Sequence, residues 1–177
     1  MPYQSSTFGH FSSEDYGKVA LATLIPGSAA AVAFAVFVQD KSTIDWWKRV
    51  RKPKWAPQDL KVYSAIDLLA LSPIGCASYL VYKHGGGFDY ADTRLALGLY
   101  GVNLALALGS IPVTLQKNLK LLFGNTLALH LTAAATSVAF YKIHKHAGLM
   151  MVPYALWSGF YVALTYAIMT ENTIDID

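Results

Sequence analysis

Five stretches of this chain run for about twenty residues each with almost no charge, and short polar connections separate them. Val19–Val38, Leu95–Leu115 and Ala147–Met169 contain no acidic, basic or histidine side chain. Val62–Tyr82 contains only Asp67, and Leu121–Tyr141 only His130. An α-helix needs about 20 mostly apolar residues to cross a bilayer. Strands of a membrane barrel would instead alternate apolar and polar residues, a pattern absent here. The pattern therefore predicts an all-α integral membrane protein, a five-transmembrane-helix bundle. The membrane domain takes residues 18–170, between a polar N-terminal tail (1–17) and an acidic C-terminal tail (171–177). Pro26, Pro73, Pro112 and Pro153 fall inside the apolar stretches. In a membrane they are expected to kink rather than end a helix, because neighbouring helices or water can satisfy the freed carbonyl. Gly85-Gly86-Gly87 is expected to end the second helix. No internal repeat suggests an inverted-repeat transporter.

Composition supports this reading. The 177 residues suggest one domain; 54 % are apolar and only 14 % charged, against roughly 25 % charged in a soluble domain. A soluble protein of this length has too little interior to hide that surface. A net charge of +3 is too small to argue for nucleic acid. Its distribution says more. The first loop carries Lys41, Lys48, Arg49, Arg51, Lys52, Lys54 and Lys61, and the third adds Lys117 and Lys120. The opposite side carries Lys18, Lys83, Arg94, Lys142 and Lys145. Nine against five predicts that the first loop, third loop and C-terminus face the cytosol. Residues 1–16 lack the basic flank of a signal peptide, so the first helix is expected to serve as its own insertion signal. Cys76 is the single cysteine, which excludes an intramolecular disulfide and reads as a packing residue.

The first loop reads Trp46-Trp47-Lys48-Arg49-Val50-Arg51-Lys52-Pro53-Lys54-Trp55-Ala56-Pro57. An aromatic pair followed by Lys-Pro-x-Trp-x-Pro resembles the signature of the translocator protein family (TSPO, TspO/MBR, the peripheral-type benzodiazepine receptors). Ser78-Tyr79-Leu80-Val81-Tyr82-Lys83 with Gly86-Gly87-Phe88 is similar to the end of the family's second helix. Leu97-Gly98-Leu99-Tyr100 with Leu104-Ala105-Leu106 is similar to the start of its third, and Pro153-Tyr154, Trp157 and Phe160 to the Pro-Tyr-x-x-Trp-x-x-Phe of its fifth. The resemblance spans residues 20–172. It implies a five-helix bundle, usually dimeric, with a cavity among the helices covered by the first loop. It further implies cholesterol, porphyrins or benzodiazepine-type compounds as ligands, with cholesterol transport or tetrapyrrole handling as the proposed roles. For animal members it implies the mitochondrial outer membrane.

Against the family pattern, several pocket positions differ. The tryptophan of helix two falls at Ile66 or Asp67. Asn103 stands for a glutamine, Ala107 for an asparagine, Ser110 for a tryptophan and Thr114-Leu115 for a Phe pair, while Tyr161 stands where a small residue is usual. Losing an indole removes stacking area for a flat porphyrin, and Tyr161 adds bulk. A reshaped, smaller pocket and weak binding of the family's synthetic ligands are expected. The resemblance places ligand contacts at Trp157, Tyr154, Tyr161, Asn103, Asp67, Leu164 and Pro153. Trp46 and Trp55 either close the cavity mouth or anchor the loop at the interface. Of the family's C-terminal sterol motif, Leu164 and Tyr166 are present, but Thr170 replaces the basic residue.

Asp67 and His130 are ionisable groups inside predicted spans, where such residues are functional candidates. One reading pairs them across the second and fourth helices. The other leaves Asp67 near interfacial water and His130 hydrogen-bonded to a neighbouring helix. Asn103 and Asn125 are expected to bond between helices. His144-Lys145-His146 has no third ligand at metal-site spacing, and no metal or cofactor is expected. Gly101, Ala105 and Gly109 form a smooth stripe that serves either packing within the bundle or a homodimer seam. With no nucleophile–base pair, the chain reads as a binding and translocation protein for a sterol or tetrapyrrole rather than an enzyme. A membrane scaffold that binds no ligand is the first alternative, and a tetrapyrrole-degrading enzyme, an activity the resemblance brings in, ranks below it. Membrane lipid, that ligand and a second copy are the expected partners.

Overall fold

The computed structural model describes residues 12–58 and 60–173; the outer parts of both tails, 1–11 and 174–177, lie outside them. The helices are α1 (Ser13–Gln39), α2 (Lys41–Arg49), α3 (Leu60–His84), α4 (Ala91–Leu115), α5 (Leu119–Ile143) and α6 (Lys145–Thr173). A single 3-10 turn, Gly87–Asp89, precedes α4. Among the described residues no strand occurs. All but α2 are long and apolar enough to cross a membrane. The four prolines lie within α1, α3, α4 and α6 without ending them.

Helix ends follow local chemistry. α1 starts ahead of its apolar stretch because Asp15 accepts a hydrogen bond from the Ser12 N–H (2.7 Å), one of the donors a helix start leaves unpaired. Asp15 also pairs with Lys83 (2.6 Å) and accepts from the Tyr79 hydroxyl. These contacts tie the start of α1 to the end of α3. As expected, α3 ends at the glycines, where Gly86 and Gly87 take positive φ of 78° and 70°, a region that suits residues without Cβ. Asn118 caps α5 by accepting from the Lys120 and Leu121 N–H groups, each at 3.1 Å.

The long helices form a ring in the order α1–α3–α6–α5–α4, tightest between α5 and α6 and thinnest where α4 returns to α1. The two chain ends lie at opposite ends of the bundle: Asp15 stands beside Lys83, and Asn172 beside Arg51 of the first loop. The half nearest the chain's start is solid, filled by Ile74, Val81, Phe140 and Met151. A second apolar cluster of Val50, Ala56, Tyr63, Leu164 and Ile168 closes the other end under the first loop. Leu69, Leu95, Leu131, Leu156 and Val138 point outward and are each more than half exposed. Such a belt would drive a water-soluble protein to aggregate, whereas hydrocarbon accommodates it.

At the α5–α6 turn the imidazole of His144 lies between two others, its ring 4.4 Å from His84 and 5.6 Å from His146. Partial burial, then repulsion from His84 and His146, holds His144 below its ordinary value of 6.5. The unfolded chain therefore binds more protons just below pH 6.5, so stability is full above that value and falls as the pH drops through it. The melting temperature in detergent should fall between pH 7.5 and 5.5, and His144→Asn should flatten that fall. A variant with the same pH slope as the parent would remove His144 as its source.

Candidate functional site

Between the two clusters the bundle is hollow. A cavity of about 200 Å³ is lined by all six helices. Its floor on α1 is made of small residues, Ala29, Ala30 and Ala33, before Phe34 and Phe37. α4 adds Ala107, Ser110 and Thr114, positions where the family resemblance leads one to expect larger or amide side chains. Side chains this short cannot fill the axis of a five-helix ring, so space remains. Opposite them, Tyr63 and Asp67 of α3 and Tyr154, Trp157, Tyr161 and Leu164 of α6 form a bulkier wall.

Asp67 is the chemical centre of that wall. The Trp157 indole N–H donates to its Oδ1 at 2.6 Å, and the Tyr161 hydroxyl donates to its Oδ2 at 3.0 Å. Trp157 and Tyr161 lie four residues apart on α6, hence on one face, and that face meets α3. Tyr63, a turn before Asp67, packs its ring 6.0 Å from Tyr161 and 6.4 Å from Trp157. The Asp67–His130 pairing is therefore corrected. His130 on α5 bonds instead through Nδ1 to Ser158 Oγ at 3.0 Å, because Ser158 is one residue round α6 from Trp157 and faces α5. Gly159 leaves room for that imidazole: a Cβ there would lie 3.2 Å from its ring. Of the two positions that match the family's helix-two tryptophan, Asp67 lines the cavity, and Ile66 lies in an outer groove between α3 and α6.

The other expected contacts separate into groups. Tyr154, Trp157, Tyr161, Leu164 and Asp67 line the cavity. Asn103 is fully buried behind Tyr154 and does not line it. Its amide donates to the Leu129 carbonyl and Thr132 hydroxyl, each at 2.9 Å, and its oxygen accepts from the Tyr154 hydroxyl at 2.9 Å. It joins α4, α5 and α6, as expected of an interhelical amide, and Asn125 joins α5 to α4 by donating to the Ser110 hydroxyl at 2.6 Å. Pro153 lies in the outer groove with Ile66 and Leu156. Tyr166 is 54 % exposed while Leu164 is fully buried, so the two surviving parts of the sterol motif do not share a face. Gly101 and Ala105 are exposed. A Cβ at Gly101 or Gly109 would meet nothing within 4 Å, so neither glycine is needed for packing within one bundle.

The first loop covers the cavity differently from expectation. Trp46 and Trp55 do not line it. Trp55 packs edge-on against Phe160 at 5.6 Å, and Trp46 tilts against Trp47 at 6.2 Å. Trp47 and Thr43, on one face of the unforeseen α2, close the mouth instead. The family-like motif explains how the loop stays there. Lys52 sits 5.1 Å from the centre of the Trp47 ring and donates to the Trp47 carbonyl. The Tyr63 hydroxyl donates to the Pro57 carbonyl at 2.8 Å. Arg51 exchanges two hydrogen bonds with the Asn172 amide, at 3.1 and 3.0 Å. Thr43, Trp47, Tyr63 and the α1 residues are lining positions that sequence reasoning misses. Of these, only Tyr63 carried a signal, its i,i+4 spacing from Asp67.

The described structure is thus that of a polytopic membrane protein, a five-span helical bundle with a loop-covered cavity in one half. Within that class the chain belongs to the TspO/MBR family, whose sequence profile matches residues 22–170. It is similar to the translocator protein of Homo sapiens, 31 % identical over 128 residues covering 72 % of this chain and 75 % of the relative. It is also similar to translocator protein 2 of Homo sapiens, 31 % over 129 residues (72 % and 75 %). Translocator protein 2 of Mus musculus is 34 % identical over 126 residues (69 % and 75 %).

Proposed function

We propose that this protein binds, and passes across or along the membrane, an apolar ligand of the sterol or tetrapyrrole kind. The observation that carries the reading is the cavity itself, which every helix lines and the first loop closes. Its walls are apolar and aromatic with few polar groups, the usual make-up of a small-molecule site. Its volume is below the roughly 300–1,000 Å³ common for such sites, so a rigid ligand enters only as the bundle relaxes. The thin α4–α1 contact is where that relaxation is easiest. Relatives named translocator protein support the translocation half of the reading. The reading places the chain in the mitochondrial outer membrane with its C-terminus in the cytosol, as a homodimer joined through the outward stripe of α4. It assigns no catalysis.

Trp157 bonds to Asp67 inside the cavity, so indole fluorescence reports occupancy. Titrating folded, detergent-solubilised protein with cholesterol and with protoporphyrin IX should give saturable quenching by at least one of them at micromolar concentration or below. Trp157→Phe should lose most of that signal. If neither ligand gives a saturable response, the cavity is vestigial and the chain acts as a membrane scaffold.

A further inference from the structure

We infer that the cavity selects an apolar ligand with a cationic head, a hydrophobic amine, through the carboxylate of Asp67. The inference rests on the sterol arm of the cavity reading above and concerns the ligand's head group, favouring an amine over an alcohol or a carboxylate. Both oxygens of Asp67 accept hydrogen bonds from uncharged donors, Trp157 Nε1 and Tyr161 Oη. A carboxylate has about four acceptor positions, so two remain. Among the described residues no cation lies within salt-bridge range of Asp67, and no Lys, Arg or His lines the cavity. Lys52 of the first loop is turned to the carbonyls of Trp47 and Val50, and Lys117 donates to the Ser42 hydroxyl. A carboxylate in a weakly polar setting is costly until a positive partner reaches it. The aromatic wall formed with Tyr63, Trp157 and Tyr161 adds its own attraction for cations. An ammonium group would supply the missing charge and fill the open acceptor positions. A neutral hydroxyl would fill an acceptor position without the charge. A ligand carboxylate would meet like charge with no basic group to answer it.

The test uses one apolar body with three heads: 3β-aminocholest-5-ene, cholesterol and cholesterol methyl ether, each titrated into the detergent-solubilised full chain and read by tryptophan quenching at pH 7. The expected order of affinity is amine, then alcohol, then ether, with the amine at least about tenfold tighter than the ether and the gap shrinking as salt rises. Asp67→Asn keeps the side-chain shape and should bring the affinities for amine and ether within about threefold of each other. Circular dichroism establishes that the variant is folded. If amine and ether bind equally to the parent, or if Asp67→Asn keeps the preference, the inference is overturned while the apolar cavity stands. If none of the three binds, the sterol arm of the cavity reading fails and this inference with it.

Discussion

Gly75→Ala should destabilise the bundle by about 1–3 kcal/mol, the usual cost of overpacking a tight contact. A Cβ at Gly75 would stand 2.4 Å from both the Ala22 oxygen and the Thr23 Cα, and 2.7 Å from the Ala22 carbonyl carbon. Each of these is backbone of α1, so no flexible side chain can yield. The contact also has a cause in the sequence. Pro26 has no N–H, so the carbonyl four residues earlier, that of Ala22, loses its helical partner. A bare carbonyl is costly in hydrocarbon, and the glycine of α3 brings a second backbone over it. Forcing α3 and α1 apart would uncover that carbonyl and move the helix whose alanines floor the cavity. Thermal unfolding followed by circular dichroism should show a clear drop in melting temperature for Gly75→Ala. Gly124→Ala on α5 is the control, since its Cβ would meet nothing within 4 Å. Equal melting of Gly75→Ala and the parent protein would show that α1 can shift without cost.

What the sequence makes legible is the part set by long runs of one character. Five spans, their prolines and the glycine stop after His84 follow from hydropathy and backbone chemistry alone. α2 is not legible in this way. Its nine residues are strongly amphipathic, but they fall short of the window of about 11 residues over which periodicity is read, and they lie in a segment whose motif reads as loop. The α1 side of the cavity is hidden for another reason. A helix apolar all round shows no stripe to mark its inner face, and Ala29 and Ala33 face the cavity only because of where α3 and α4 stand. Asp67 and His130 illustrate the limit most clearly. Sequence reveals two costly groups inside the membrane, and pairing them is an economical guess. The register of α6 decides otherwise, presenting Trp157 and Tyr161 to α3 and Ser158 to α5.

Two departures from the family pattern become one feature in three dimensions. Asp67 stands at or beside the position of a lost indole on α3, and Tyr161 occupies a position usually small on α6. They lie 94 residues apart in sequence and are hydrogen-bonded in the fold. The phenol lines the cavity beside the carboxylate and supplies it with a donor. Neither change is well explained by itself: a lone Asp67 would lack a partner on Oδ2, and a lone Tyr161 hydroxyl would lack an acceptor. The pair exchanges aromatic area for polarity within a cavity that remains mostly apolar.

That exchange predicts the largest functional change available from one residue. Tyr161→Ala should tighten cholesterol binding about tenfold, because the phenol projects into a cavity of only about 200 Å³ and limits what a rigid ring system can fill. Removing it adds its side-chain volume to that space and brings more of the ligand into contact with Trp157 and Leu164, at about 25 cal/mol for each Å² of apolar surface buried. Tyr161→Phe separates the two roles of the residue. It deletes the hydroxyl that bonds Asp67 but keeps the ring, so cholesterol affinity should stay within about threefold of the parent. Both variants should melt below the parent, Tyr161→Ala by more, since it leaves an unfilled cavity and one carboxylate oxygen without its donor. Affinities read from Trp157 quenching would decide the matter. A Tyr161→Ala protein that binds cholesterol no better than Tyr161→Phe would mean that volume is not what restricts this site, and that entry past α2 or between α1 and α4 sets the limit instead.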